Sequence, residues 1–178
     1  GLYGKYYRPF LALSFLIDQR LYGDTVFGFR LTNILIHAGN VILVYIVVRM
    51  LLQHALKKNE IAFFSARLFA VHHAAVESVA WISGRTDALA TFWSLSGIIF
   101  YLLGRQPQRW YLLPLSLFCM VAAVLTKEVA LFVPIILALW ELFYYRGFVF
   151  EEAKYAQLAS ALFIAPIPLY LHLRSSGL

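Results

Sequence analysis

Six apolar runs, near 27–52, 61–82, 88–103, 110–126, 129–145 and 155–173, decide what this chain can become. Several are apolar around their whole circumference and approach the roughly 20 residues that carry a helix across about 30 Å of hydrocarbon. A soluble helix hides a single apolar stripe, so runs of this kind have no place on a water-exposed surface. The chain is 62% hydrophobic, 13% charged and has a mean hydropathy of +0.74, too apolar for a soluble domain of 178 residues. The sequence therefore reads as an all-α, polytopic transmembrane helix bundle forming one domain over residues 1–178.

Before the first run, Pro9 suits the opening turn of a helix, and Gly23 with Asp24 suits its end. A helix over 9–22 is too short to span and is expected to lie in the interface, with Phe10, Leu13, Ser14 and Ile17 on one face and Asp18 and Arg20 at the far end. The opening residues lack a basic start followed by an apolar core, so they are not a signal peptide, and the chain reads as a fragment of a longer protein. The single cysteine, Cys119, lies in an apolar run and is read as packing.

The net charge is +6, but the basic residues sit in short groups between apolar runs. That pattern suits anionic lipid head groups or a phosphate-bearing substrate and argues against nucleic acid. Alternating the spans puts the N-terminal segment, the Trp81–Asp87 turn and Lys127 with Glu128 on one membrane face, and the loops around Lys57, Arg105 and Arg146 on the other. Lys and Arg divide evenly between the faces, so the positive-inside rule does not orient the chain.

Polar side chains concentrate at one place. Residues 69–89, FAVHHAAVESVAWISGRTDAL, carry His72, His73, Glu77, Ser83, Arg85 and Asp87 at the end of an apolar run. Ionisable groups at depth cost about 2.5–3.5 kcal/mol each on insertion scales, so the 61–82 helix, with Arg67 at mid-length, is expected to look inward. Asn33, His37 and Asn40 share one face of the first span, where they either hydrogen-bond across helix contacts or, for His37, touch substrate. Asp87 reads equally as a helix cap, and Lys127 with Glu128 as an interfacial ion pair.

Tyr7-Arg8-Pro9, Leu31-Thr32-Asn33 with His37, the His72, Glu77, Gly84-Arg85-x-Asp87 order and Thr126-Lys127-Glu128 together resemble the membrane domain of the transmembrane-and-tetratricopeptide-repeat O-mannosyltransferases and their bacterial relatives. These belong to the GT-C class of polyprenyl-phosphate-sugar-dependent glycosyltransferases, and the resemblance covers most of residues 6–146. The family's usual His-Pro-x-His-x-Glu reads here with His73 for the proline and Ala75 for the second histidine. The resemblance implies a further acidic motif upstream of Gly1, without which the fragment alone would be inactive, and a repeat domain downstream of Leu178. It is closer to the bacterial branch, which implies a bacterial inner membrane rather than the endoplasmic reticulum.

The implied reaction moves a hexose, such as mannose, from a polyprenyl-phosphate donor to a protein or glycan acceptor at the external membrane face. It needs cations on the leaving phosphate and a carboxylate for the acceptor hydroxyl. Arg8, Arg85 and Lys127 are candidate phosphate ligands, and Glu77 and Asp87 candidate catalytic carboxylates or holders of a divalent ion. His37, His72 and Glu128 complete the candidate substrate contacts. Two other classes are open at this point: a transporter, for which only Arg67 and Glu141 lie deep, and an inactive membrane scaffold.

Overall fold

The protein's computed structural model describes residues 8–144. The expected loop over 145–154 and the apolar run at 155–173 lie outside the described residues. All regular structure in the described part is helical: α1 (Pro9–Tyr22), α2 (Val26–Leu51), α3 (Lys58–Val71), α4 (His73–Ala80), α5 (Arg85–Gly104), α6 (Leu113–Thr126) and α7 (Phe132–Tyr144), with 3-10 turns before α5, α6 and α7. Three stretches, Val26–Leu51, Ile82–Gly104 and Gln108–Thr126, are long and apolar enough to cross a membrane, and Glu128–Leu137 is a shorter apolar helix.

Local chemistry accounts for the ends of α1. Pro9 lacks an N–H that the first turn would leave unpaired, and Gly23 adopts φ +64 while its N–H returns to the Gln19 carbonyl at 2.9 Å. A residue with a side chain would be strained there. The short Gly23–Thr25 link then lets α2 start almost at once.

The polarity of the bundle is inverted relative to a soluble protein. Leu13, Leu16, Ile17 and Leu21 of α1 point outward, as do Phe63, Phe64 and Leu68 of α3 and Phe132, Ile135 and Ile136 of α7. Inside lie Ala62, Ala66, Ala88, Ala122, Ala123, Ser94, Ser96, Ser116 and Thr126. In hydrocarbon there is no reward for hiding leucine, so helices associate through small residues that let backbones approach and through polar groups that bond across the contact. The α5–α6 pair shows both effects: Met120 fills the space beside Gly97, and the Ser116 hydroxyl donates to the Gly97 carbonyl at 2.7 Å.

The chain reverses repeatedly. Contacts join α2 to α3 and α5, and α5 to α6. Asn33 and Asn40 of α2 bond to the Trp81 and Ala88 carbonyls, so α2 and α5 run the same way from a shared end. α3 comes back antiparallel along α2, its last turn tied to α2 through His37 and the Ala70 carbonyl at 3.2 Å.

Two expectations are corrected here. The helix expected to be continuous over 61–82 is two helices, because His72 is extended (φ -65, ψ 131) and caps α4, its ring Nδ1 accepting the Ala74 N–H at 3.3 Å. A side chain that can accept a backbone N–H competes with helix continuation. Arg67, expected to face inward, is exposed on α3 with its guanidinium carbon 5.6 Å from the Phe63 ring centroid. A cation on an aromatic face with a long apolar stem is accommodated at the outer surface.

Gly84 marks a close approach. A Cβ there would lie 2.7 Å from the Ser78 Cα and carbonyl oxygen, backbone atoms that cannot step aside without moving α4. Gly84→Ala is expected to cost about 1–3 kcal/mol, read as a lowered thermal midpoint of the full-length protein in detergent. An unchanged midpoint would mean that α4 is not held against the Gly84 turn.

Candidate active site

At the end of the bundle where α4, the 82–84 turn and the start of α5 meet α2, a cavity of about 600 Å³ opens to the surface. Its lining includes His37 and Asn40 of α2, His72, Glu77 and Ser78 around α4, and Asp87 and Thr91 of α5. The break at His72 creates it: a continuous helix would carry Glu77 onward along one axis, whereas α4 sets off anew and leaves a hollow beneath its first turn.

Each of the two histidines lining the cavity has one nitrogen committed. His72 uses Nδ1 as the α4 cap, so its neutral form carries the proton on Nε2, a donor available to a ligand. His37 donates from Nε2 to the Ala70 carbonyl, and its ring lies 5.6 Å from that of Phe69. It thus holds the end of α3 while lining the cavity. Glu77 is exposed on α4 with its side chain at the cavity. Asp87 does not cap α5; its carboxylate is ion-paired with the Lys127 ammonium, and both side chains are partly exposed. That pair joins the start of α5 to the end of α6 across residues that are distant in sequence.

Arg85 is placed differently from its expected role. It is fully buried, and its guanidinium is surrounded by protein. Nε donates to Asn33 Oδ1 at 2.7 Å, Nη2 to the Phe29 carbonyl at 2.7 Å and Nη1 to the Ser14 carbonyl at 3.4 Å. Asp18 Oδ2 forms an ion pair with it at 2.5 Å, and the Phe15 ring centroid is 4.5 Å from its Cζ. Asp18 is itself buried and takes the Thr32 hydroxyl at 2.7 Å. In this arrangement Arg85 joins α1, α2 and α5 and does not face the cavity as the phosphate ligand expected of it. The physical reason is burial: a cation at the first position of α5 opposes the helix dipole, and Asp18 offsets it.

The remaining candidates are spread around this core. Arg8 precedes α1 and Glu128 opens the turn before α7, and neither lines the cavity. Asn33, His37 and Asn40 all hydrogen-bond to carbonyls of neighbouring segments, the first of the two roles open to them from sequence. Ser78 and Thr91 were not singled out from sequence; Thr91 follows Asp87 by one helical turn, the only signal that could have found it. Among the described residues, no three His, Cys, Asp or Glu side chains converge on one point.

Comparison with known proteins agrees with the motif reading. The chain is 34% identical over 150 residues to Protein O-mannosyl-transferase TMTC1 of Homo sapiens, covering 78% of this chain and 17% of that protein. It is 32% identical over 131 residues to Protein O-mannosyl-transferase Tmtc1 of Drosophila melanogaster, 74% of this chain and 15% of that protein. Protein O-mannosyl-transferase TMTC4 of Homo sapiens is 34% identical over 143 residues, 70% of this chain and 19% of its own length. The chain thus spans less than a fifth of the length of these relatives. No family model and no solved structure matches it. Over the stretch it shares with them, the chain belongs to the TMTC-like O-mannosyl-transferase family.

Proposed function

We propose that this chain is the site-bearing part of a GT-C class membrane glycosyltransferase that moves a hexose from a polyprenyl-phosphate donor to a protein hydroxyl. The observation that carries the reading is the cavity at one end of an apolar bundle that gathers Glu77, Asp87, His37 and His72. The relatives' name, protein O-mannosyl-transferase, supplies the reaction class and the kind of acceptor. The external face is the proposed side of the reaction, and a bacterial inner membrane the proposed location.

In the proposed step the acceptor oxygen forms a bond to the anomeric carbon as the bond from that carbon to the phosphate oxygen breaks. The hydroxyl proton goes to the Glu77 carboxylate, and the lipid phosphate leaves with the electron pair. Lys127, steered by Asp87, supplies positive charge for that phosphate, and His72 Nε2 supplies a hydrogen bond. Arg85 and Asp18 act through position, fixing the first turn of α5 and with it Asp87. Transport is the weaker reading, because Arg67 faces outward and not into the bundle.

The test is transfer of labelled mannose from polyprenyl-phosphate mannose to a protein acceptor by the full-length protein in liposomes, with Glu77→Gln beside it. Donor-dependent transfer that is lost in the folded variant supports the assignment; no transfer from this donor class overturns it. Lys127→Ala is expected to raise the donor KM about tenfold or more while changing stability by at most about 1 kcal/mol, since its ion pair is partly exposed. An unchanged KM would remove Lys127 from the phosphate contact.

A further inference from the structure

A second cavity of about 330 Å³ lies at the other end of the bundle. Arg105, at its wall, follows the last turn of α5, roughly 25 Å along the helix from Ala88 at about 1.5 Å per residue. Three cationic side chains from three separate elements line it: Arg49 from the end of α2, Lys58 from the start of α3, and Arg105. The Lys58 ammonium donates to the Gln53 carbonyl at 3.4 Å, and the Arg105 guanidinium carbon lies 5.3 Å from the Trp140 ring centroid. The remaining wall combines Ile46, Met50, Leu51 and Leu102 with the amides Gln53 and Gln106.

Scattered basic residues at span ends are common, but these three converge on one hollow together with an indole and several apolar side chains. That combination suits an amphiphile with an anionic head. The Arg49 guanidinium offers paired donors that fit phosphate oxygens, the Lys58 ammonium adds a compact charge, and Arg105 adds positive charge beside Trp140. Trp140 suits the head-group layer, where an indole is partly in contact with apolar chains. We infer that Arg49, Lys58 and Arg105 form a binding site for the phosphate head group of an anionic phospholipid, separate from the Glu77 cavity and on the opposite membrane face.

The test uses the full-length protein, delipidated in detergent and titrated with phosphatidylglycerol, phosphatidylcholine or inorganic phosphate, with thermal stabilisation as the readout. Phosphatidylglycerol is expected to raise the midpoint at concentrations where phosphatidylcholine does not. The Arg49→Gln/Arg105→Gln double variant is expected to need roughly thirtyfold more lipid for the same shift. Equal stabilisation by phosphatidylcholine, or an unchanged requirement in a folded double variant, would overturn the site. Inorganic phosphate matching the lipid would overturn the lipid assignment and leave a soluble phosphate as ligand. The comparison of lipids on the unaltered chain decides the matter if the double variant does not fold.

Discussion

Asp18→Ala is expected to destabilise the protein by about 3–5 kcal/mol, because it leaves a buried guanidinium without its counter-ion. Arg85 has no exposed surface, and Asp18 is 2% exposed, so water cannot take the place of the missing carboxylate. The loss reaches further than one contact. Arg85 also holds the Asn33 side chain and the Phe29 and Ser14 carbonyls, so α1 and α2 would lose their common anchor on α5. The measurement is the thermal midpoint and the folded yield of the full-length protein in detergent. Asp18→Ala/Arg85→Met is expected to regain most of the loss, since removing both charges leaves an apolar contact between Phe15 and Phe29 with no unpaired ion. Arg85→Lys is not expected to substitute, as one ammonium cannot reproduce donors spread along a planar fork. A wild-type midpoint for Asp18→Ala would show that the pair does not hold the fold, and would return Arg85 to the list of possible substrate ligands.

Glu77→Gln is expected to lower transfer by about 10²–10⁴-fold, the usual range for loss of a general base, with little change in thermal midpoint. The substitution keeps shape and removes only the proton-accepting charge. Glu77 is exposed on a short helix, and its contribution to α4 is through its backbone carbonyl, which takes the Trp81 N–H at 3.3 Å. Stability and activity should therefore separate at this position, whereas at Asp18 they should fall together. The kcat term carries the distinction: a folded variant with unaltered kcat but raised KM would make Glu77 a binding group, and one with both unaltered would remove it from the site. Because Asp87 is tied to Lys127, Glu77 is the cavity carboxylate without a described ion-pair partner, which is why the proton is assigned to it.

The character of the bundle was legible before any coordinates. Apolar circumference in several runs required a membrane solvent, and membrane solvent in turn required the inverted polarity seen in Leu13, Phe63 and Ile136 outside and Ala122, Ser116 and Thr126 inside. The ends of α1 were equally legible, because Pro9 and Gly23 act through their own backbone torsions and need no partner. The gathering of His72, Glu77 and Asp87 at one end followed from their nearness in the chain, and the structure adds a cavity around them.

What the tertiary structure alone decided concerns groups whose behaviour depends on a distant neighbour. Arg85 looked like a phosphate ligand because an arginine beside an apolar run is costly without a counter-charge, yet the counter-charge turned out to be Asp18, on a helix that the chain reaches only after folding back. The break at His72 depended on a side chain finding the Ala74 N–H, and the partner of Asp87 depended on α6 returning Lys127 to the start of α5. Hydrophobicity is a property of a residue and its solvent, so it can be read in one dimension. The pairing of charges depends on distances of a few ångströms between remote segments, which only the packed helices define.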